Sequence, residues 1–512
     1  MLKVFSAKQL HQLDTYTITN EPIKSIDLME RAASQLFNWI KDNLMGKANK
    51  GSFSIFCGSG NNGGDGLAIA RMLLEEGHHV KVYIVELSNN YSTDFKTNLK
   101  RYKGEKFTLS EKSHDFSLQE KEIIVDAIFG SGLNRPISGF AAAIIKQLNA
   151  SSHLKIAIDM PSGLFAEDNS DNDITSIFKA NITLSIQLPK LAFLFPENSV
   201  FVGNWQLIDI GLSGEFIEQT ESDFNYYLPR DCTKFLKSRA AFSHKGSYGH
   251  ALIFAGSKGK MGAAILAAKA CLRSGVGLLT MRLPQLGEHI LQTAVPEAMV
   301  EADNNESILS EFKNDLKYSA IGLGPGIGTA NETQQMFKLL IQQVNSPMVI
   351  DADGITILAE NKTWLSFLPK ASILTPHPGE FKRLVGEWKN DFERLQLQIN
   401  LAKKHSVYII LKGKNTSIAT PFGKVFFNST GNPGMATGGS GDVLTGMLTS
   451  FLAQGYSPLE TCLLGVCLHG LAGDFAAEKR GMESMLAADI VDGIADAFFA
   501  LKDKSFTTFA NY

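Results

Sequence analysis

The stretch Asn432-Pro433-Gly434-Met435-Ala436-Thr437-Gly438-Gly439-Ser440-Gly441-Asp442 decides how this chain is read. Its glycines carry no Cβ, so backbone N–H groups can close around an anion. The apolar run from Val443 predicts a helix, and a helix N-terminus favours negative charge. Asp442 then stands where the loop enters that helix, placed to take a proton from a hydroxyl beside a bound phosphate. Together these features point to phosphoryl transfer to an alcohol. The simpler alternative is a Gly-rich turn closed by an N-capping Asp.

Upstream of this loop, strand–loop–helix units recur. Strands are expected at Ala251–Ala255, Gly275–Leu283, Tyr318–Gly322, Met348–Asp351, Ser372–Leu374 and Val407–Leu411. Gly-rich or polar loops follow, among them Gly324–Gly328, Thr375–Glu380 and Lys412–Thr416. This pattern predicts an α/β layer fold with backbone donors gathered at strand ends. Lys412 and Thr416 follow a buried-type strand and suit a nucleotide phosphate. His377, fixed between prolines, is a candidate substrate contact. His244 and Lys245 read as solvated surface, and His469 as a satisfied interior histidine. No G-x-x-x-x-G-K-[ST] occurs, so a P-loop enzyme is excluded.

The first half shows the same logic. Residues 8–45 have helical spacing of apolar positions. Strands follow at Ser52–Cys57, His79–Glu86, Ile123–Phe129, Lys155–Asp159, Asn181–Leu188 and Asn204–Ile210, with a helix from Leu67 to Glu76. This βαβ series predicts a parallel, Rossmann-like sheet with helices on both faces. In such sheets the carboxyl ends of the strands form the ligand crevice. Asn61–Asp65, Asp126, Gly130–Pro136, Asp159 and Ser162 should therefore converge. Asn62, Asp126 and Ser162 offer oxygens for a hard cation, and a single carboxylate suits a monovalent ion. The alternative for Asp126 and Asp159 is capping of strand-end turns. The Gly loop is not G-x-G-x-x-G, which argues against an ordinary NAD dehydrogenase.

A chain of 512 residues favours more than one core, and a cut is expected near residue 220, giving parts 1–220 and 221–512. The net charge of -3 gives no reason to expect nucleic acid or an anionic membrane as partner. Five cysteines without a C-x-x-C pair fit a reducing compartment and provide no zinc site. No signal peptide or uninterrupted membrane-length apolar run is evident, so the expected location is the cytoplasm.

Motifs now narrow the reading. C-G-S-G-N-N-G-G-D-G-L-A-I-A-R, V-D-A-I-F-G-S-G-L-N-R-P-I-S-G and I-D-M-P-S-G-L resemble the NAD(P)H-hydrate epimerase family over about residues 5–215. That resemblance implies a Rossmann-like fold and a potassium ion on Asn62, Asp126 and Ser162. It implies substrate on Asn61, Asn62, Gly63, Gly64 and Asp65, on Gly130, Ser131, Gly132, Leu133, Asn134, Arg135 and Pro136, and on Asp159. The stretch Phe165-Ala166-Glu167-Asp168-Asn169 departs from the family's usual Ala-Asp then Gly. In the second half, G-L-G-P-G-I-G, T-P-H-P-G-E, L-K-G-K-N-T and N-P-G-M-A-T-G-G-S-G-D resemble the ADP/ATP-dependent NAD(P)H-hydrate dehydratase family of the ribokinase-like superfamily, over about 225–500. This implies hydrate contacts by Ala263, Gly326, His377 and Asp442, and nucleotide contacts by Lys412, Gly413, Lys414, Asn415, Thr416 and Gly441. The fused order resembles the bifunctional NAD(P)H-hydrate repair family.

The expected substrates are hydrated NADH and NADPH (NADHX and NADPHX) with ADP as co-substrate. Asp442 would deprotonate the ring hydroxyl, whose oxygen attacks ADP to give AMP and a phosphate ester that then leaves. Mg2+ is expected with the nucleotide. For the epimerase part Asp159 is the first candidate acid/base and Asp126 the second. A homo-oligomer is the expected assembly. The enzyme rival is a vitamin kinase of the ribokinase-like group; a ligand- or RNA-binding scaffold is the non-enzymatic one.

Overall fold

The computed structural model describes residues 1–45, 51–87, 90–312 and 317–503. The chain divides into two compact units, one of Leu2–Phe224 with Asn390–Phe392, the other of Asn225–Lys389 with the described residues from Glu393 onward.

The sheet of the first unit contains β1 (Ser52–Cys57), β2 (His79–Val85), β3 (Glu105–Leu109), β4 (Ile123–Ala127), β5 (Lys155–Ile158), β6 (Ile182–Ile186) and β7 (Asn204–Ile208). They lie in the order β3-β2-β1-β4-β5-β6-β7, all neighbours parallel. The central strands are rich in apolar residues because both faces are covered; Phe53, Ile55, Phe56 and Cys57 are all fully buried. The order turns at β1 and β4, so the loops after these two strands face one crevice.

Three sequence expectations change here. The helical region 8–45 is two helices, Ala7–Asn20 and Ser25–Leu44, separated at Glu21-Pro22, where proline cannot continue the ladder. The strand β3 was not expected. Its Glu-Lys-Phe-Thr run lies exposed at the sheet edge and carries no buried-strand pattern. The helix expected from Leu67 starts at Asn61, so Asn61–Asp65 form its first turn. Glycine permits this start: a Cβ on Gly63 would lie 1.9 Å from the Gly58 carbonyl oxygen.

The second unit contains β8 (His250–Phe254), β9 (Leu278–Leu283), β10 (Met299–Ala302), β11 (Ala320–Leu323), β12 (Met348–Ile350), β13 (Ile373–Leu374), β14 (Tyr408–Leu411), β15 (Ser417–Ala419) and β16 (Val425–Asn428). They lie in the order β16-β15-β14-β13-β12-β11-β8-β9-β10. The strands from β8 to β14 pair in parallel, and β14, β15 and β16 form an antiparallel extension. The helix Pro458–Arg480 is long and apolar enough by composition to cross a membrane. However, 72% of its apolar window is buried inside the fold, as for a core helix.

The loop 432–439 runs into the helix Ser440–Ala453, which packs against Met261–Arg273. The two backbones approach so closely that a Cβ on Gly446 would lie 2.1 Å from the Ala267 carbonyl oxygen. In an open helix Gly→Ala gains about 1 kcal/mol of propensity. Here overpacking, typically about 1–3 kcal/mol and more against backbone, should win. Gly446→Ala is therefore expected to lower the melting temperature of the full chain; a stabilised variant would refute this account of the packing.

Candidate active sites

In the first unit the loops after β1, β4 and β5 meet at a cleft of about 770 Å³. Asn61, Asn62, Asp65, Asp159 and the run Gly130–Arg135 line it. Gly63 and Gly64 are buried and outside the lining, and Pro136 is exposed and also outside it. A Cβ on Gly130 would lie 3.2 Å from Asp159 Oδ2 and 3.4 Å from Asn62 Cβ, so three separate loops touch at that glycine.

Asp159 adopts φ +63°, a left-handed conformation unusual for a residue with a side chain. That strain is sustained by its partners. Lys190 Nζ donates to Oδ1 at 2.6 Å, the Ile186 N–H to Oδ1 at 3.4 Å and the Ser131 N–H to Oδ2 at 3.0 Å. Burial alone would push this carboxyl up, but the Lys190 charge and these hydrogen bonds outweigh it and hold it below the usual carboxylate range. Its neighbours move the other way. Asp65 is pushed well above the ordinary value by burial and by the Asp159 charge. Asp14, at the cleft wall, is pushed up to about 6 by desolvation and by Asp159, with Lys190 opposing.

Asp126 and Ser162 sit behind the cleft. Asp126 Oδ2 accepts the Ser162 N–H at 2.7 Å, and Oδ1 accepts the Ser162 hydroxyl at 2.6 Å and the Ile128 N–H at 3.1 Å. Ser162 Oγ also accepts the Phe129 N–H at 2.8 Å. Asp126 is fully buried, and burial raises its carboxyl to about 6 despite these bonds. The side-chain nitrogen of Asn62 is buried without a partner among the described residues. The Asp126 carboxylate and the Ser162 hydroxyl are oxygen ligands of the kind a monovalent ion takes, and Asn62 fits such a set only through its amide oxygen, not through the unpartnered nitrogen.

In the second unit the loops after β8, β11, β12, β13 and β14 place Ser257, Gly326, Asp351, His377 and Lys412 at the carboxyl ends of these parallel strands. Gly326 has φ +64°, and a Cβ there would lie 3.2 Å from the Ala263 Cβ, so these two candidates adjoin. Asp442 occupies the first turn of Ser440–Ala453, whose N-cap is Gly439 at φ +93° with no side-chain cap bond. The capping alternative for Asp442 therefore does not apply. Below it, Lys412 Nζ donates to Asp351 Oδ1 at 2.9 Å and lies 4.0 Å from Glu380 Oε2, while the Thr445 hydroxyl donates to Asp351 Oδ2 at 2.7 Å. Burial would lower Lys412, but Asp351 and Glu380 outweigh it and raise it. Asp442 is raised to about 7, first by desolvation, then by Asp351, with Lys412 opposing.

The remaining candidates vary in placement. Lys412 is engaged in the Asp351 network, whereas Gly413 and Lys414 are exposed. The Thr416 hydroxyl donates to the Gly413 carbonyl at 2.8 Å and closes that turn. A Cβ on Gly441 would lie 3.3 Å from Lys412 Nζ, which joins the helix start to the charge network. His377 caps the helix Pro378–Val385 through Nδ1, which accepts the Gly379 N–H at 3.0 Å; the imidazole is about half exposed. His469 Nε2 lies 2.9 Å from the Ser440 carbonyl oxygen and is held to about 4 by burial, so it is a neutral, satisfied ring. His244 and Lys245 are exposed.

A family model described as NAD(P)H-hydrate dehydratase matches residues 251–496, and one described as YjeF-related protein N-terminus matches residues 25–192. A Moorella thermoacetica protein named bifunctional NAD(P)H-hydrate repair enzyme is 35% identical over 504 residues, covering 95% of each chain. A Thermofilum pendens protein of the same name is 32% identical over 523 residues, covering 98% of this chain and 97% of that one. The chain belongs to the bifunctional NAD(P)H-hydrate repair enzyme family. Among solved structures, an ADP/ATP-dependent NAD(P)H-hydrate dehydratase from Bacillus subtilis, co-crystallised with ATP/Mg2+, is 29% identical. That match covers 54% of this chain and 98% of that one, with a TM-score of 0.48.

Within this repair-enzyme fold several residues escape a reading by motif. Lys190, only 1% exposed, gives its three protons to Asp159 Oδ1, to Ser185 Oγ at 2.8 Å and to the Ile186 carbonyl at 2.9 Å. A lysine inside the apolar run Leu188–Phe195 was the available signal. Asp474 anchors the loop 432–442 from the helix Pro458–Arg480, accepting the Gly431 N–H at 3.0 Å and the Asn432 amide at 2.9 Å. Nothing in its helical context distinguishes it.

The charge network gives a signed prediction. Lys412 holds Asp442 down, so Lys412→Met should raise the Asp442 pKa above about 7 and move the acidic limb of dehydration kcat/KM to higher pH. Lys412→Arg should keep the limb near its original position. Coincident pH profiles for the Met variant and the parent would remove Lys412 from the electrostatics of Asp442.

Proposed function

We propose that the first unit interconverts the R and S forms of NADHX and NADPHX, and that the second dehydrates the S form at the expense of ADP, giving AMP and phosphate. The observation that carries the second half is Asp442. It is a half-buried carboxyl raised to about 7, in the first turn of a helix entered by a Gly-rich loop. A general base works best with a pKa near the working pH. Asp442 takes the proton from the ring hydroxyl, whose oxygen then attacks the terminal phosphoryl of ADP. Hydroxide is a poor leaving group and phosphate a good one. The ring nitrogen helps it depart, and loss of a neighbouring proton restores the dihydronicotinamide. Backbone N–H groups at Gly439–Gly441 favour charge on the transferred group.

The nucleotide is assigned to the Lys412–Thr416 turn and Gly441, and the hydrate to Ala263, Gly326 and His377 as well as Asp442. Mg2+ supplies charge neutralisation on the phosphoryl oxygens when bound. The nearby carboxylates are already engaged: Asp351 with Lys412 and Thr445, and Asp353 with Lys260 at 3.1 Å and the Gly328 N–H at 2.8 Å.

In the first unit, Asp159 faces the cleft as an anion and stabilises positive charge on the ring as the hydroxyl departs. Asn62 through its amide oxygen, Asp126 and Ser162 would hold K+, which would supply a positive charge beside the buried Asp126. We place the enzyme in the cytoplasm, acting on small molecules.

Two measurements test this. Asp442→Asn should abolish ADP-dependent recovery of reduced-nicotinamide absorbance while leaving R/S exchange intact, and Asp159→Asn should do the reverse. Accumulation of a stable phosphorylated product in the parent enzyme would instead indicate a small-molecule kinase.

The ion is tested by stability. Folding raises the Asp126 pKa from 3.8 to about 6. The folded state therefore loses up to roughly 3 kcal/mol as pH rises from about 4 through 6. A bound cation offsets that loss only where the carboxylate is ionised. KCl should therefore raise the melting temperature relative to tetramethylammonium chloride more at pH 7.5 than at pH 5. Equal shifts with the two salts at both pH values would exclude the ion from this place.

A further inference from the structure

We propose that Asp14, on the helix Ala7–Asn20, is the residue that gives and retrieves the proton of the hydroxyl during epimer exchange. The inference rests on the cleft of the first unit being the epimerase site. It arises from a deficit in that cleft. Asp159 is ionised and receives donors on both oxygens, from Lys190 and Ile186 on Oδ1 and from Ser131 on Oδ2, so it has no proton to give. Lys190 has three protons and directs all three at protein oxygens: Asp159 Oδ1, Ser185 Oγ and the Ile186 carbonyl. Together they are a fixed charge pair. Neither is free to protonate a departing hydroxyl.

Asp14 lines the same cleft as Asp159, Lys190 and Asn62. Its carboxyl makes no hydrogen bond or ion pair among the described residues. The groups that face it electrostatically are Asp159 and Lys190 from the strand-end loops, Asp65 from the helix Asn61–Glu75, and His11 one turn back on its own helix. The Asp159 anion and a desolvating wall favour the protonated form, and Lys190 and His11 oppose. Its pKa of about 6 keeps both protonation states accessible near neutrality, as a group that donates and then accepts requires.

The step balances. The ring nitrogen lone pair forms a C=N bond to the neighbouring carbon as the C–O bond breaks. The departing oxygen takes the Asp14 proton and leaves as water. The ring is then a cation opposite the Asp159 anion, and Asp14 is a carboxylate. Water adds to the other face of the C=N bond, the electron pair returns to nitrogen, and the added water gives its proton to Asp14. Nothing is oxidised or reduced.

The test uses the full chain. R and S NADHX are separated chromatographically and their exchange is followed without ADP from pH 5 to 8, beside ADP-dependent dehydration of the S form as a control on the same sample. Asp14→Asn should lower exchange above the uncatalysed background at least ~100-fold, mainly in kcat, and abolish the pH dependence near 6. Asp14→Glu should recover part of the rate together with a pH dependence. Retention of the K+-dependent melting shift in Asp14→Asn checks that the cleft is intact. Exchange within fivefold of the parent, or a loss confined to KM with the pH profile preserved, would overturn the proposal. If Asp159→Asn is inactive while Asp14→Asn is normal, only this assignment fails. If both exchange normally, the site reading beneath it fails as well.

Discussion

Each half of the molecule depends on keeping carboxylates out of water at the carboxyl ends of parallel strands. Desolvating a carboxylate is costly unless a counter-charge or several donors compensate. Both units compensate with a lysine, and the choice of partner sets the chemistry. In the first unit Lys190 pairs directly with Asp159, so that carboxyl stays ionised. In the second, Lys412 pairs with Asp351 instead, one step removed from Asp442. Asp442 then feels burial and the Asp351 charge more than the lysine, and rises to about 7. The same pair of residue types leaves a fixed anion in one crevice and a carboxyl raised toward neutrality in the other.

Backbone proximity is what allows these crevices to form. Gly58 and Gly63 close the turn after β1, and a Cβ on Gly58 would lie 2.1 Å from the Ile128 carbonyl oxygen. Gly324 plays the same part after β11, where a Cβ would lie 1.9 Å from the Asp351 carbonyl oxygen. These contacts are with protein, not with ligand. The glycines of the site motifs therefore serve packing as well as anion binding, and the two uses coincide because loops that pack this tightly also present their N–H groups inward.

This explains what could be read from sequence and what could not. Glycine-rich loops announce themselves, and a polar residue after an apolar strand marks the crevice: Asp159 lines the cleft and Asp442 follows its Gly-rich loop, whereas Asp126 lies within its strand and outside the lining. Boundaries were harder. The glycines of Asn61–Asp65 read as loop, yet they form a helical turn because tight packing needs their lack of side chains more than the helix needs propensity. The antiparallel β15 and β16 were missed, being only 3 and 4 residues long. Residues that act by reaching across the fold left still less trace. Asp474 holds a loop some forty positions upstream, and Asp14 sits on a helix whose apolar stripe of Leu10 and Leu13 records only its buried side.

The two activities on one chain have a kinetic logic that needs no channel. A dehydratase selective for one epimer exhausts it and leaves the other, so repair halts at the composition of the damaged pool. An exchange activity on the same chain converts the remaining epimer, which then needs only to diffuse. Coupling requires only that both activities run under the same conditions. The charge arrangements meet that condition separately: Asp14 is raised to about 6 and Asp442 to about 7. Each is raised by burial and a neighbouring carboxylate charge against an opposing lysine, so on the assignments proposed above the two halves would work in overlapping pH ranges without sharing a residue.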